Sequence, residues 1–218
     1  MNIKVCGITT VKQLQQLEGL NIDFAGFIFD QNSPRYVGDK LDGAELQNAD
    51  FDIKKVGVFV NPTYSDVLDA IDNYGLDVIQ LHGEETPEFC RDINEDLEVI
   101  KVFHINESIT SIDDLVAPYD DACDYYLFDT APTQASPKGG GEPTLKGGTG
   151  KQFDWSVIAK SKIEKPFFLS GGIGVADLAK IKAFKHPDFY GVDINSKVEK
   201  TPGEKDMALV LQFKLGMK

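Results

Sequence analysis

Cys6 and Asp129 stand apart from their surroundings in the sequence. Each is joined directly to a short apolar run, Ile3–Cys6 and Tyr125–Phe128, so each falls where a strand would end. A thiol there offers a base or a nucleophile, and Gly7 beside it lets a ligand approach the backbone closely. An unperturbed thiol is little ionised at neutral pH, so a working thiolate needs positive charge nearby. The plainer alternative for Cys6 is a small buried packing residue. A carboxyl at an apolar mouth keeps its proton to higher pH, which suits Asp129 to general-acid work. Its alternative is a helix cap or a loop hydrogen-bond acceptor.

Ser170-Gly171-Gly172-Ile173 closes another apolar run and precedes a helical pattern, so its backbone N–H groups can cradle an anion. Gly147-Gly148-Thr149-Gly150-Lys151 looks like a Walker loop but has Leu145 in place of the first glycine and Gln152 in place of Ser or Thr. Arg35, Asn61, Gln80, His82, His104, Asp193 and Asn195 also lie at or after the ends of apolar runs. The three histidines, His82, His104 and His186, lack metal-ligand spacing, so no metal is expected, although His82 and His104 could converge at a barrel mouth. His186, before Pro187, reads as a loop residue, and Cys90 and Cys123 read as structural.

The elements that must position these groups recur regularly. Eight β-branched or aromatic runs (3–6, 24–29, 56–60, 78–81, 99–103, 125–128, 167–169 and 189–192) alternate with polar or glycine-containing loops and helical patterns. Val67, Leu68, Ile71 and Tyr74 share one helical face, as do Val175, Leu178 and Ala179. Thr10 with Gln13 resembles a capping box, Pro87 suits a first turn, and 41–51 is a weak helix. Eight strand–helix units favour a single (β/α)8 TIM barrel domain over residues 1–218. The rival, an open doubly wound sheet, would want a glycine fingerprint after the first strand, where Cys6-Gly7-Ile8 stands. The stretch from about 130 to 153, rich in Gly, Pro, Thr and Lys, is a long loop after strand 6.

Composition narrows the function classes. The 218 residues carry 22 Lys plus Arg against 35 Asp plus Glu, a formal charge of −13, which argues against nucleic acid as a partner. No apolar run is long enough for a membrane span, and the first residues read as a strand rather than a signal peptide. Three cysteines suit a reducing cytoplasm better than a disulfide framework.

Taken in order, Lys4-Val-Cys6-Gly7-Ile8-Thr9, Gly26-Phe-Ile-Phe29, Ser33-Pro-Arg35-Tyr36, Val56-Gly-Val-Phe-Val-Asn61, Gln80-Leu-His82-Gly83-Glu84, Phe128-Asp129-Thr130, Gly147-Gly-Thr-Gly150, Phe153-Asp-Trp155, Leu169-Ser-Gly-Gly172 and Gly191-Val-Asp193 resemble the phosphoribosylanthranilate isomerases over essentially the whole chain. The resemblance implies a cofactor-free Amadori rearrangement of N-(5′-phosphoribosyl)anthranilate in tryptophan biosynthesis, by a monomer or homodimer. It implies Cys6 as general base, Asp129 as general acid and Arg35 as the holder of the anthranilate carboxylate. It further places Gln80, His82 and Asp193 against the substrate, and Gly148, Gly171, Gly172, Asn195 and Ser196 around its phosphate. The chain departs from the family at Lys197, which replaces the glycine of Ser-Ser-Gly and would disfavour a positive φ, and in the added length of 131–146. The alternatives are another phosphosugar isomerase or epimerase, and a non-catalytic phosphosugar-binding barrel.

Overall fold

The computed structural model describes residues 1–106, 108–109, 111–131 and 152–218. Most of the long segment after strand 6, with all of the extra length of 131–146 except Ala131 and with Gly148, lies outside the described residues. Eight strands, β1 (Asn2–Cys6), β2 (Phe24–Ile28), β3 (Lys54–Phe59), β4 (Val78–Leu81), β5 (Glu98–Ile105), β6 (Tyr125–Thr130), β7 (Phe167–Leu169) and β8 (Phe189–Ile194), form a closed barrel in chain order. Every neighbouring pair runs parallel, and β8 returns to β1. Strands buried on both faces read as continuous apolar runs, which is why the runs mark them so well.

Two apolar cores follow. One inside the barrel contains Cys6, Phe24, Val56, Val58, Ile100, Val102, Leu127 and Phe168. The larger one, between barrel and helices, takes the alternate residues, such as Val5, Phe27, Ile79, Val99 and Phe128. Each buried aliphatic or aromatic side chain contributes ~1.5–3 kcal/mol relative to exposure.

The helices are α1 (Val11–Gly19), α2 (Gly43–Gln47), α3 (Tyr64–Tyr74), α4 (Pro87–Asn94), α5 (Ile112–Val116), α6 (Ser156–Ala159), α7 (Leu178–Ala183) and α8 (Met207–Gly216). Thr10, Asp42, Thr63, Thr86, Ser111 and Asp206 each accept a hydrogen bond from the first turn of the helix they precede. Pro87 is at the first turn of α4, and α2 is short, both as expected. Around α1 the box is displaced: Thr10 takes Gln13 N–H, while Gln13 Oε1 accepts from Thr9 N–H, one residue before the cap.

The expected face Val175–Leu178–Ala179 needs correction. Val175–Asp177 form a 3₁₀ turn, and its tighter winding shifts the phase of α7, so Ile181 is buried and Ala179 exposed. After β8 a hairpin of β9 (Glu199–Thr201) and β10 (Glu204–Lys205) precedes α8, turning at Gly203 with φ +86°. No helix among the described residues is long and apolar enough to cross a membrane.

Candidate active site

β5, β6 and β8 extend past their apolar runs, so His104, Asp129 and Asp193 belong to strands rather than to the loops after them. Backbone pairing then fixes their partners. His104 is in register with Asp129, Lys4 with Asp193, and Cys6 with Gly26. Lys4 and Cys6 are two residues apart and share one face of β1.

At the centre, Lys4 Nζ donates to Asp193 Oδ1 at 2.9 Å, with the Lys4 side chain wholly buried. Gly26 supplies the space beside it: a Cβ there would lie 2.9 Å from Cys6 Sγ and 3.1 Å from Lys4 Nζ. Burial pushes the Cys6 thiol above its ordinary value, and the Lys4 and Lys205 charges pull the other way. The electropositive help expected for Cys6 is therefore present, set against desolvation.

Asp129 is separated from Cys6 by β7 and β8. Its Oδ1 accepts Thr130 N–H at 2.7 Å. Burial, with the Asp193 carboxylate second, raises it from 3.8 to about 7. Asp129 Oδ2 is 3.6 Å from His82 Nε2. Burial first, then the neighbouring positive charges, lower His82 to about 3, so the contact is not an ion pair at neutral pH. Gln80 Nε2 donates to His82 Nδ1 at 3.0 Å, which leaves the ring proton on Nε2, facing Asp129. His104 Nε2 donates to the His82 carbonyl at 3.1 Å.

His82 and His104 do converge: one nitrogen of each and one Asp129 oxygen lie within 4.8 Å of one another. That spread could gather around a divalent cation. With Gln80 donating to Nδ1, however, His82 offers Asp129 an N–H and not a lone pair, so the group is arranged as hydrogen-bond partners to the carboxyl.

On the β2 and β8 side, Arg35 makes a forked pair with Glu199, Nε to Oε1 at 2.9 Å and Nη2 to Oε2 at 2.7 Å. Glu199 also accepts from Lys205 Nζ at 2.7 Å, and the same ammonium donates to Asn195 Oδ1 at 2.8 Å. Gly7, with φ +78°, makes this cluster possible, since a Cβ there would lie 2.6 Å from Arg35 Cδ and 2.9 Å from Asn195 Oδ1. Arg35 is thus held in place before any ligand arrives, with Nη1 unpaired among the described residues.

Gly171 and Gly172 take φ values of +93° and +67°. A Cβ on Gly171 would lie 2.2 Å from Thr130 Oγ1, so this loop is pressed onto the end of β6. The expectation that it opens a helix is corrected: two left-handed glycines and the extended Gly174 break the chain direction, and a 3₁₀ turn follows. Any anion binding there rests on loop amides set ahead of the helical stretch 175–183 rather than on its first turn. Ser196 begins a second 3₁₀ turn, Ser196–Val198, and Lys197 within it is not among the positive-φ residues, so no glycine is needed there.

The sequence reading missed Lys4, Glu199 and Lys205 as parts of the site. A lysine in an otherwise apolar strand, two before Cys6, was a usable signal for Lys4. Pro202-Gly203 was one for the hairpin that carries the other two.

A closed (β/α)8 barrel whose mouth gathers a thiol and a proton-holding carboxyl defines an acid–base barrel enzyme. The chain belongs to the N-(5′-phosphoribosyl)anthranilate (PRA) isomerase family, whose model matches residues 3–214. It is 38% identical over 216 residues to an N-(5′-phosphoribosyl)anthranilate isomerase of Phocaeicola vulgatus, covering 98% of this chain and 96% of that one. It superposes on the phosphoribosyl anthranilate isomerase of Thermotoga maritima with a TM-score of 0.79 at 28% identity, covering 100% and 98% of the two chains. A structure of a phosphoribosyl anthranilate isomerase in complex with reduced 1-(o-carboxyphenylamino)-1-deoxyribulose 5-phosphate matches with a TM-score of 0.75 at 26% identity over 100% and 98%.

Proposed function

We propose that this chain converts N-(5′-phosphoribosyl)anthranilate to 1-(2-carboxyphenylamino)-1-deoxyribulose 5-phosphate, with Asp129 as general acid and Cys6 as general base. The observation that carries this reading is a carboxyl that keeps its proton to about pH 7 on β6, opposite a thiol with ammonium groups beside it on β1.

Asp129 gives its proton to the furanose ring oxygen as the C1′–O bond breaks, and the anilino nitrogen lone pair forms C1′=N. The Cys6 thiolate then removes the C2′ proton, and the released pair makes the C1′=C2′ enolamine. Ketonisation protonates C1′ from the Cys6 thiol and returns the 2′-hydroxyl proton to Asp129, so the steps balance as an isomerisation and both groups are reset. Arg35 takes the anthranilate carboxylate on its unpaired edge while Glu199 holds the other edge. His82, oriented by Gln80, faces Asp129 and the sugar, and the Gly171–Gly172 amides with Asn195 and Ser196 receive the phosphate. The small-molecule phosphosugar is the partner, and the chain acts as a monomer or homodimer in the cytoplasm.

Lys197 takes an ordinary φ, so its replacement of a glycine strains nothing there and gives no support to a binding-only barrel. Turnover followed by loss of substrate fluorescence, in chelator, is expected for the purified protein. Binding without turnover would refute the enzymatic reading.

A further inference from the structure

Lys4 takes no step in this mechanism, yet it is a wholly buried charge in the middle of the reacting groups. The barrel interior beneath it is apolar, with Phe24, Val56, Ile100, Leu127 and Phe168. A buried ion pair in such a place is no guarantee of stability, since apolar replacements of similar volume often serve as well. Its placement says more. The ammonium and Cys6 Sγ both lie against Gly26, on one face of β1. The carboxylate of Asp193 stands on β8, between β1 and the strands leading to Asp129, with Ser170 Oγ 3.4 Å from its second oxygen.

We propose that Lys4 and Asp193 act as a positioning pair, the ammonium end easing ionisation of Cys6 against its burial and the carboxylate end opposing ionisation of Asp129. The proposal rests on the acid–base assignment above and adds the device that biases the two groups toward the protonation states it needs. Cys6 is faced by Lys4 from β1, Asp193 from β8, Lys205 from β10 and Arg35 from the loop after β2. Asp129 is faced by Asp193, Lys4 and neutral His82. Lys4 outweighs Asp193 at the thiol, and Asp193 outweighs Lys4 at the carboxyl.

These orderings give an unusual signature for the double variant Lys4→Met/Asp193→Asn, which leaves no lone buried charge and so spares the fold. Carbon-13 NMR of labelled cysteine and aspartate, assigned with Cys90→Ala and Cys123→Ala, follows both titrations directly. In the double variant the Cys6 midpoint is expected to rise and the Asp129 midpoint to fall, with kcat reduced tenfold or more. Mere loosening of the barrel would admit water and move both midpoints down. That pattern, or unmoved midpoints in a folded variant, would overturn the proposal. The single variant Asp193→Asn gives a second check, with both midpoints moving down and Cys6 following because Lys4 is freed; a rise at either refutes it. A wild type that shows the displaced midpoints but turns over no substrate sinks the functional reading and leaves the pair standing.

Discussion

Replacing Asp129 by asparagine tests the proton-holding carboxyl without using the reaction at all. In the fold the group titrates at about 7, against the ordinary 3.8 expected of the unfolded chain. Folding therefore takes up a proton between those values. The stability associated with it is full below about pH 4 and is lost as pH rises through 7. The difference of roughly three in pKa corresponds to ~4 kcal/mol at ~1.36 kcal/mol each, an upper bound because the carboxyl side chain keeps 18% of its exposure to water. Asparagine has nearly the same shape and no charge at any pH, so Asp129→Asn should gain stability over the wild type as pH rises. About 2.5 kcal/mol of that gain should appear between pH 5 and pH 8. Urea unfolding of both proteins at the two pH values measures it, and other carboxylates cancel in the comparison. The same variant should lose roughly 10²–10⁴ in kcat. A stability gap that is the same at both pH values, within about 0.5 kcal/mol, would mean that the carboxylate is well solvated, and Asp129 would lose its physical basis as an acid.

Three further outcomes follow from the same geometry. Above pH 7 the protonated fraction of Asp129 falls while the thiolate fraction of Cys6 rises, because the thiol titrates above the carboxyl. The kcat/KM profile should thus climb about tenfold per pH unit up to about 7 and then stay level until the thiol itself titrates, whereas a steep fall directly above 7 would exclude Cys6 as the base. Arg35→Met should raise KM by roughly tenfold or more with little change in kcat, and Glu199→Gln, which frees the guanidinium from its fork, should raise it less; steady-state kinetics decides between this and a purely structural Arg35. Lys101 Nζ donates to Glu85 Oε2 at 2.7 Å and to the Gly83 carbonyl at 2.7 Å, while Glu85 Oε1 accepts from Asn61 and Gly83 N–H. Lys101→Met should cost about 3–5 kcal/mol in denaturant unfolding by leaving Glu85 charged and buried, and Lys101→Met/Glu85→Leu should recover part of that loss.

All eight strands were legible because a parallel barrel buries both faces of each, leaving unbroken apolar runs. Their ends were not. Ladder hydrogen bonds are made by the backbone, so His104, Asp129 and Asp193 continue their strands while their polar side chains make the run look finished. Cys6 and Asp129 were legible as candidates because each breaks an apolar run, and Lys4 breaks one equally well. An isolated lysine in a strand is ordinarily solvent-facing; alternation puts Lys4 on the face of Cys6, and the register with Asp193 supplies the partner that lets its charge point inward. The conformation around Gly171 and Gly172 was not legible. Two glycines permit a helix start or a left-handed reversal, and contact with Thr130 selects the latter.

The overall charge of −13 would repel a phosphosugar that carries both a phosphate and a carboxylate at long range, so attraction must be built locally. At the mouth, Lys4, Arg35 and Lys205 are paired with Asp193 and Glu199, three cations against two carboxylates. With Asp129 holding its proton, this cluster carries one positive charge in excess. A thiolate at Cys6 would cancel it. The surplus therefore offsets the one anion that the proposed base forms when it ionises, and in that state it adds no net attraction for the phosphate or the anthranilate carboxylate. Those groups must be held by directed donors, the free Nη1 edge of Arg35 and the loop amides after β7, whose partial charges act only at contact. Binding at this mouth should accordingly depend on fit more than on charge, with a weak dependence of kcat/KM on ionic strength. A steep dependence would mean that uncompensated cations outside this cluster do the recruiting.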